Sequence, residues 1–167
     1  ILHAERGLGL LARHPELPDA LELELDLRAV LAPALIATRG WDAAGARDAY
    51  QRVRELSEIL DRPEQLSAAL YGLATWHELR GEYQETQRVL GERARVATIA
   101  RHRRESVETH ELMACSKFHQ GSFVEALGHA EEAWHDYDPS RHLALTAFLG
   151  ENPGVAAHHW AALSLWF

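Results

Sequence analysis

Residues 80–86 read RGEYQET and residues 120–126 read QGSFVEA. Each places a glycine, with an aromatic two residues later, in a chain whose apolar residues otherwise recur at helical spacing, and the glycines are 121 − 81 = 40 residues apart. A local device repeated at that distance marks an internal repeat, which decides the architecture before any single residue is weighed. Before the first glycine, Leu66, Ala69, Leu70, Leu73 and His77 share one helical face, and Ala68, Gly72, Thr75 and Leu79 form a second, weakly polar one. The spacing predicts a helix over 66–80 that is flanked on both sides. Gly81 ends it, because glycine enters the left-handed conformation without steric cost. Tyr83, Thr86, Leu90, Ala94 and Ala97 then predict an antiparallel helix over 82–100.

The next unit repeats the design, with Val107, His110, Met113, Ala114 and Lys117 before Gly121 and Phe123, Ala126, Leu127, Ala130, Ala133, Trp134 and Tyr137 after it. Ser122 and Glu125 have the S-x-x-E spacing of a capping box. An earlier unit runs through Arg39-Gly40-Trp41-Asp42, with Asp42 as the expected N-cap and Ala46, Ala49, Tyr50, Val53, Leu56 and Leu60 behind it. Its leading segment, LELELDL at 21–27, alternates like a strand. It contains no β-branched residue, however, and Leu23, Leu27, Leu31 and Leu35 continue at i+4, so a helix is expected, kinked near Pro33.

Small residues narrow the type of repeat. Ala74 and Ala114 each lie seven residues before their glycine, Thr86 and Ala126 each five after, and Ala133 follows in the second helix. This order resembles tetratricopeptide repeats, with a 40-residue unit in place of about 34. The expected fold is all-α: a tetratricopeptide-like α-solenoid of antiparallel helix pairs forming one domain over 1–167, with units at roughly 19–60, 63–100 and 102–138 and an incomplete one at 139–167. Longer stretches carry a second resemblance: APALIATRGWDAAGARDAYQRVREL at 32–56, YDPSRH at 137–142 and LGENPGVAAHHWAALSLWF at 149–167. Together they look like the helical-repeat region that follows the ATPase module in bacterial adenylate/guanylate cyclase-like and related regulatory ATPases. That resemblance implies a fragment of a longer chain, with the cyclase and ATPase parts elsewhere.

Composition restricts the function. The 167 residues carry a formal net charge of −8, which opposes broad attraction to nucleic acid or an anionic membrane. The one basic run, Arg101-His102-Arg103-Arg104, reads as a solvated interhelical turn. Cys115 is the single cysteine, so no intrachain disulfide forms and a cytoplasmic location is expected. The N-terminal sequence lacks signal-peptide order, and no apolar run approaches the ~20 residues of a membrane span.

No catalytic constellation emerges. The single lysine, Lys117, lies between Ser116 and Phe118, outside any P-loop pattern. The acidic residues at 22, 24, 26, 55, 58 and 64 read as solvated helix faces, not as paired carboxylates for two metals. Among eleven histidines the nearest metal candidates are His129 with His135, His158 with His159, and His110 with Cys115, and none has H-E-x-x-H or C-x-x-C spacing. The expectation is therefore no enzyme, no metal and no cofactor. Most of the tryptophans read as packing, with Trp76 off the main face and free to meet solvent or a partner.

In tetratricopeptide-like folds the first helix of each pair lines the concave side, which here implicates Tyr71, Thr75, Glu78, Leu79, Glu111, Cys115, Phe118 and His119. The favoured function is a regulatory module that binds a protein or peptide, or the ATPase part of its own chain. The alternative is a metal- or small-ligand-sensing domain, or an enzyme fragment, using the histidine-rich helices. Trp160, Leu163, Trp166 and Phe167 are expected to lack a following partner, so the fragment is expected to form a homodimer through an exposed end.

Overall fold

The structure, a computed structural model, describes residues 1–40, 43, 45–100, 104–142 and 152–167. The described residues are helical, with no strand among them: α1 Leu2–Leu11, α2 Ala20–Arg39, α3 Ala46–Ile59, α4 Pro63–Leu79, α5 Tyr83–Ala100, α6 Arg104–His119, α7 Phe123–Asp136, the short α8 Pro139–His142 and α9 Pro153–Trp166. The alternating LELELDL is helix, since leucine and glutamate favour it and Leu25, Leu31 and Leu35 bury one side of α2. The helix continues through Pro33. Trp41 and Asp42 lie outside the described residues, as do 101–103 of the basic run.

Residues with positive φ stand at or beside helix ends. Asp19, Gly40, Asp61, Gly81 and Gly121 have φ of 60°, 85°, 53°, 72° and 77°, and their spacings are 40 − 19 = 21, 61 − 40 = 21, 81 − 61 = 20 and 121 − 81 = 40. Gly45 adds a sixth positive φ as the N-cap of α3. At Gly121 the closure is a Schellman motif: Gly121 N–H donates to the Phe118 carbonyl at 2.9 Å and Ser122 N–H to the Lys117 carbonyl at 3.0 Å. This overturns the expected capping box. Ser122 makes no side-chain cap bond, its own N–H is already taken by Lys117, and the Glu125 carboxylate crosses the hairpin to the Lys117 ammonium.

Two compact units meet at Arg80–Gly81 in sequence. In the first, Ile1–Arg80, α1 packs on α2, α2 on α3 and α3 on α4. Leu25, Val53, Leu56 and Ala69 form one buried cluster, and Ala4, Leu31, Leu35, Ala43 and Ala46 another. Tyr50 lies over Gly72 while Arg47 reaches Trp76, so α3 and α4 run antiparallel. An ion network ties α2 to its neighbours: Arg52 donates to Glu24 at 3.0 Å, and Arg62 to Glu22.

In the second unit, Gly81–Phe167, Tyr83 meets His119, Gln87 meets Ser116 and Arg93 meets Thr109. Positions rise on α5 as they fall on α6, so these helices are antiparallel. The same holds for α6 and α7, through Phe118–Phe123, Lys117–Glu125 and His110–His129. Helix α9 packs on both and runs parallel to α6, because Glu111 meets Trp160 and Phe118 meets Phe167, each 49 residues on. That offset exceeds 40 because α8 and the stretch to Asn152 intervene. Ala114, Thr86, Ala126 and Ala133 are fully buried here, as Ala74 is in the first unit.

Two glycines inside helices predict opposite outcomes. A Cβ at Gly72 would run into the Tyr50 ring, whereas nothing lies within 4 Å of one at Gly91. Gly72→Ala should therefore destabilise by about 1–3 kcal/mol through overpacking, while Gly91→Ala stabilises by about 0.5–1 kcal/mol through helix propensity. Denaturation midpoints shifting in the same direction for both would refute the α3–α4 register.

The same contact sets an alkaline limit. Burial pushes the Tyr50 hydroxyl up from 10.0 to about 12. A group with a raised folded pKa contributes stability that is full below the unfolded value and is lost as pH rises through the folded one. Stability should thus fall between pH 10 and about 12, and Tyr50→Phe should flatten that limb in pH-dependent melts.

Candidate functional site

The eight groove residues divide by burial. Thr75, Glu78, Glu111 and Cys115 are buried, Tyr71 and Phe118 are half-buried, and Leu79 and His119 are exposed. Thr75 is turned inward, its hydroxyl donating to the Tyr71 carbonyl at 2.9 Å. The accessible part of the expected surface is therefore Tyr71 and Leu79 in the first unit and Phe118 and His119 in the second.

Around Phe118 and His119 the second unit assembles an aromatic patch from four helices. Tyr83 stacks on His119, with centroids 5.7 Å apart and planes 19° apart, and Trp160 meets the same imidazole edge-on at 5.4 Å. Phe118 touches Phe123 at 5.4 Å, Trp160 at 5.6 Å and Phe167 at 6.0 Å, and Phe123 stacks on Phe167. Beneath the rings, Trp160 Nε1–H donates to Glu111 Oε1 at 3.0 Å, while Cys115 Sγ lies 3.7 Å from His119 Nδ1. Such a surface offers π faces and ring edges to an apolar or aromatic side chain, with an exposed imidazole for polar contact. Sequence reading found Phe118 and His119 but not their companions. The available signal was the order of aromatics across the turn, Phe118 before and Phe123 after Gly121.

The last aromatic helix packs on helices that precede it in the chain. Trp160 and Phe167 pack on α6 and α7, because α9 lies parallel to α6. Leu165, Trp166 and Phe167, at 72%, 85% and 74% exposure, face outward, Phe167 while one side of its ring touches Phe118 and Phe123. Trp134, 48% exposed, stacks on Tyr137 and meets His158 at 3.8 Å.

The first unit carries a different surface feature. Trp76, half-buried on α4, has the guanidinium of Arg47 at 5.3 Å and that of Arg80 at 4.8 Å from its ring centroid. Two cations on one indole concentrate positive charge on an otherwise acidic chain, through cation–π attraction.

The histidines pair differently from the candidates named in the sequence. His110 Nδ1 lies 3.0 Å from His129 Nδ1 across the α6–α7 hairpin, while Cys115 has His119 as a neighbour and His135 is exposed. The His129 imidazole is held below its ordinary pKa, first by burial and then by His110 and Lys117, with Glu125 and Glu132 opposing. Deeper in the unit, Arg93 is buried against Glu108 and donates to Thr109 Oγ1 at 2.9 Å.

Comparison with family models, with curated proteins and with solved structures finds no match. No helix among the described residues is long and apolar enough to cross a membrane.

The two tryptophans of α9 separate support from surface. Trp160→Phe keeps a ring against Phe118 but removes the donor to the buried Glu111 carboxylate, so it should destabilise by about 1–3 kcal/mol. Trp166→Ser should stay within about 0.5 kcal/mol. Equal midpoints for both variants in urea titration would remove Trp160 from the foundation of the patch.

Proposed function

We propose that this chain is a non-catalytic regulatory module that binds a protein or peptide, built as a tetratricopeptide-like α-solenoid and belonging to a bacterial multidomain signalling ATPase or cyclase-like protein of the cytoplasm. One observation carries the reading. The small–Gly–aromatic–small order, Ala74-Gly81-Tyr83-Thr86 and Ala114-Gly121-Phe123-Ala126, coincides with positive φ at both glycines and complete burial of all four small residues. Those are the positions where tetratricopeptide-like packing demands close helix approach. The register within the second unit supports it, since α7 is antiparallel to both α6 and α9 while those two are parallel. Repeats of this kind expose binding surface from successive first helices, here Tyr71 and Leu79 on α4 and the Phe118–His119 patch on α6. The proposed homodimer rests on Leu165 and Trp166 of α9, which present apolar area to solvent.

A photo-cross-linking amino acid at Leu79 or His119, introduced into the full-length protein in its own host, tests the binding surface. The expected result is a discrete adduct, either to one protein or to the ATPase part of the same chain, with no comparable adduct from exposed Asp136. Leu79→Ser should weaken binding of the identified partner while changing stability by no more than about 0.5 kcal/mol. Indistinguishable adducts from all three positions would sink the assignment.

A further inference from the structure

We infer that His110 and His129 form a binding site for a divalent transition ion of the zinc class. Their Nδ1 atoms face one another at 3.0 Å, with the rings tilted 42° and both side chains half-buried. Zinc–nitrogen bonds of about 2.0–2.1 Å place an ion touching both atoms at an N–metal–N angle of roughly 95°. Opening the pair by about 0.3 Å reaches the tetrahedral angle. The histidines sit on different helices of a hairpin closed by the Schellman turn at Gly121, so their separation is set by backbone packing and not by one flexible loop.

Acidic residues flank His129 along α7, Glu125 one turn before it and Glu132 nearly one turn after, a charge environment that favours a cation. Glu125 is now engaged with Lys117. Two imidazoles leave the remaining positions of a tetrahedral ion open to water. An ion there would clamp α6 to α7 beside the Phe118–His119 patch and make the stiffness of that surface depend on metal.

Zinc chloride titrated into the full chain by calorimetry, with thermal melts alongside, tests the inference. The expected result is one-to-one binding and a raised melting temperature. Affinity should fall at least about tenfold in His110→Gln and in His129→Gln, and remain unchanged in His158→Gln/His159→Gln, which removes two exposed histidines. Cobalt chloride provides a second reading, since visible absorption of tetrahedral strength should appear in the parent and vanish in His129→Gln, with folding checked by circular dichroism. Absence of binding, binding that survives both hairpin substitutions, or binding lost with His158 and His159 would each overturn the site, the last two marking adventitious capture by histidine.

Discussion

Close approach of helices is the constraint on which this structure depends. Where helices cross, Ala74, Thr86, Ala114, Ala126 and Ala133 are sealed from solvent, and a larger side chain at any of them would force backbones apart in an interior packed like an organic crystal. Gly72 carries the logic one step further, giving up even a methyl group so that the Tyr50 ring can lie on the helix backbone. The left-handed residues serve the same end. At Asp61 and Gly121 three residues join one helix to the next, which keeps α3 beside α4 and α6 beside α7, and the separation between helix axes is then set by which side chains are small.

Much of the helical layout was legible in the sequence because both of its signals are local. Glycine before an aromatic marks the turn, and apolar residues at i, i+3 and i+4 mark the buried face. The capping box at Ser122 and Glu125 was misread because the motif records only spacing. Whether Ser122 N–H is available depends on how α6 ends, and the Schellman turn had already used it. At the turn between α3 and α4 the left-handed residue is Asp61 in place of glycine, so no glycine announced it.

The candidate site was less legible, since it is made by pairing between helices. His110 and His129 are centred on the same hairpin as Lys117 and Glu125, and an antiparallel register would have brought them together on paper. The burial of Thr75, Glu78, Glu111 and Cys115 was not accessible that way. Helical periodicity identifies which residues share a face but not which neighbour covers it, and for Glu111 the covering group is an indole from α9, 49 residues along the chain. Arg93 with Glu108 makes the same point for charge, because a buried ion pair looks in sequence like two more solvated helix residues.

Asn152 joins two functions in one amide. Its carbonyl oxygen accepts from Gly154 N–H at 2.9 Å and Val155 N–H at 3.2 Å, starting α9, while its NH2 group donates to the Tyr137 hydroxyl at 3.0 Å. Gly154 lies flat against the same tyrosine ring, where a Cβ would come within 2.8 Å. Starting the helix and seating it are therefore not separable steps. An α9 that drifted from Tyr137 would lose the partner that orients its cap, and an α9 that frayed at its start would lose its anchor. The two events are thermodynamically coupled: seating α9 on Tyr137 favours its cap, and an intact cap favours the seat.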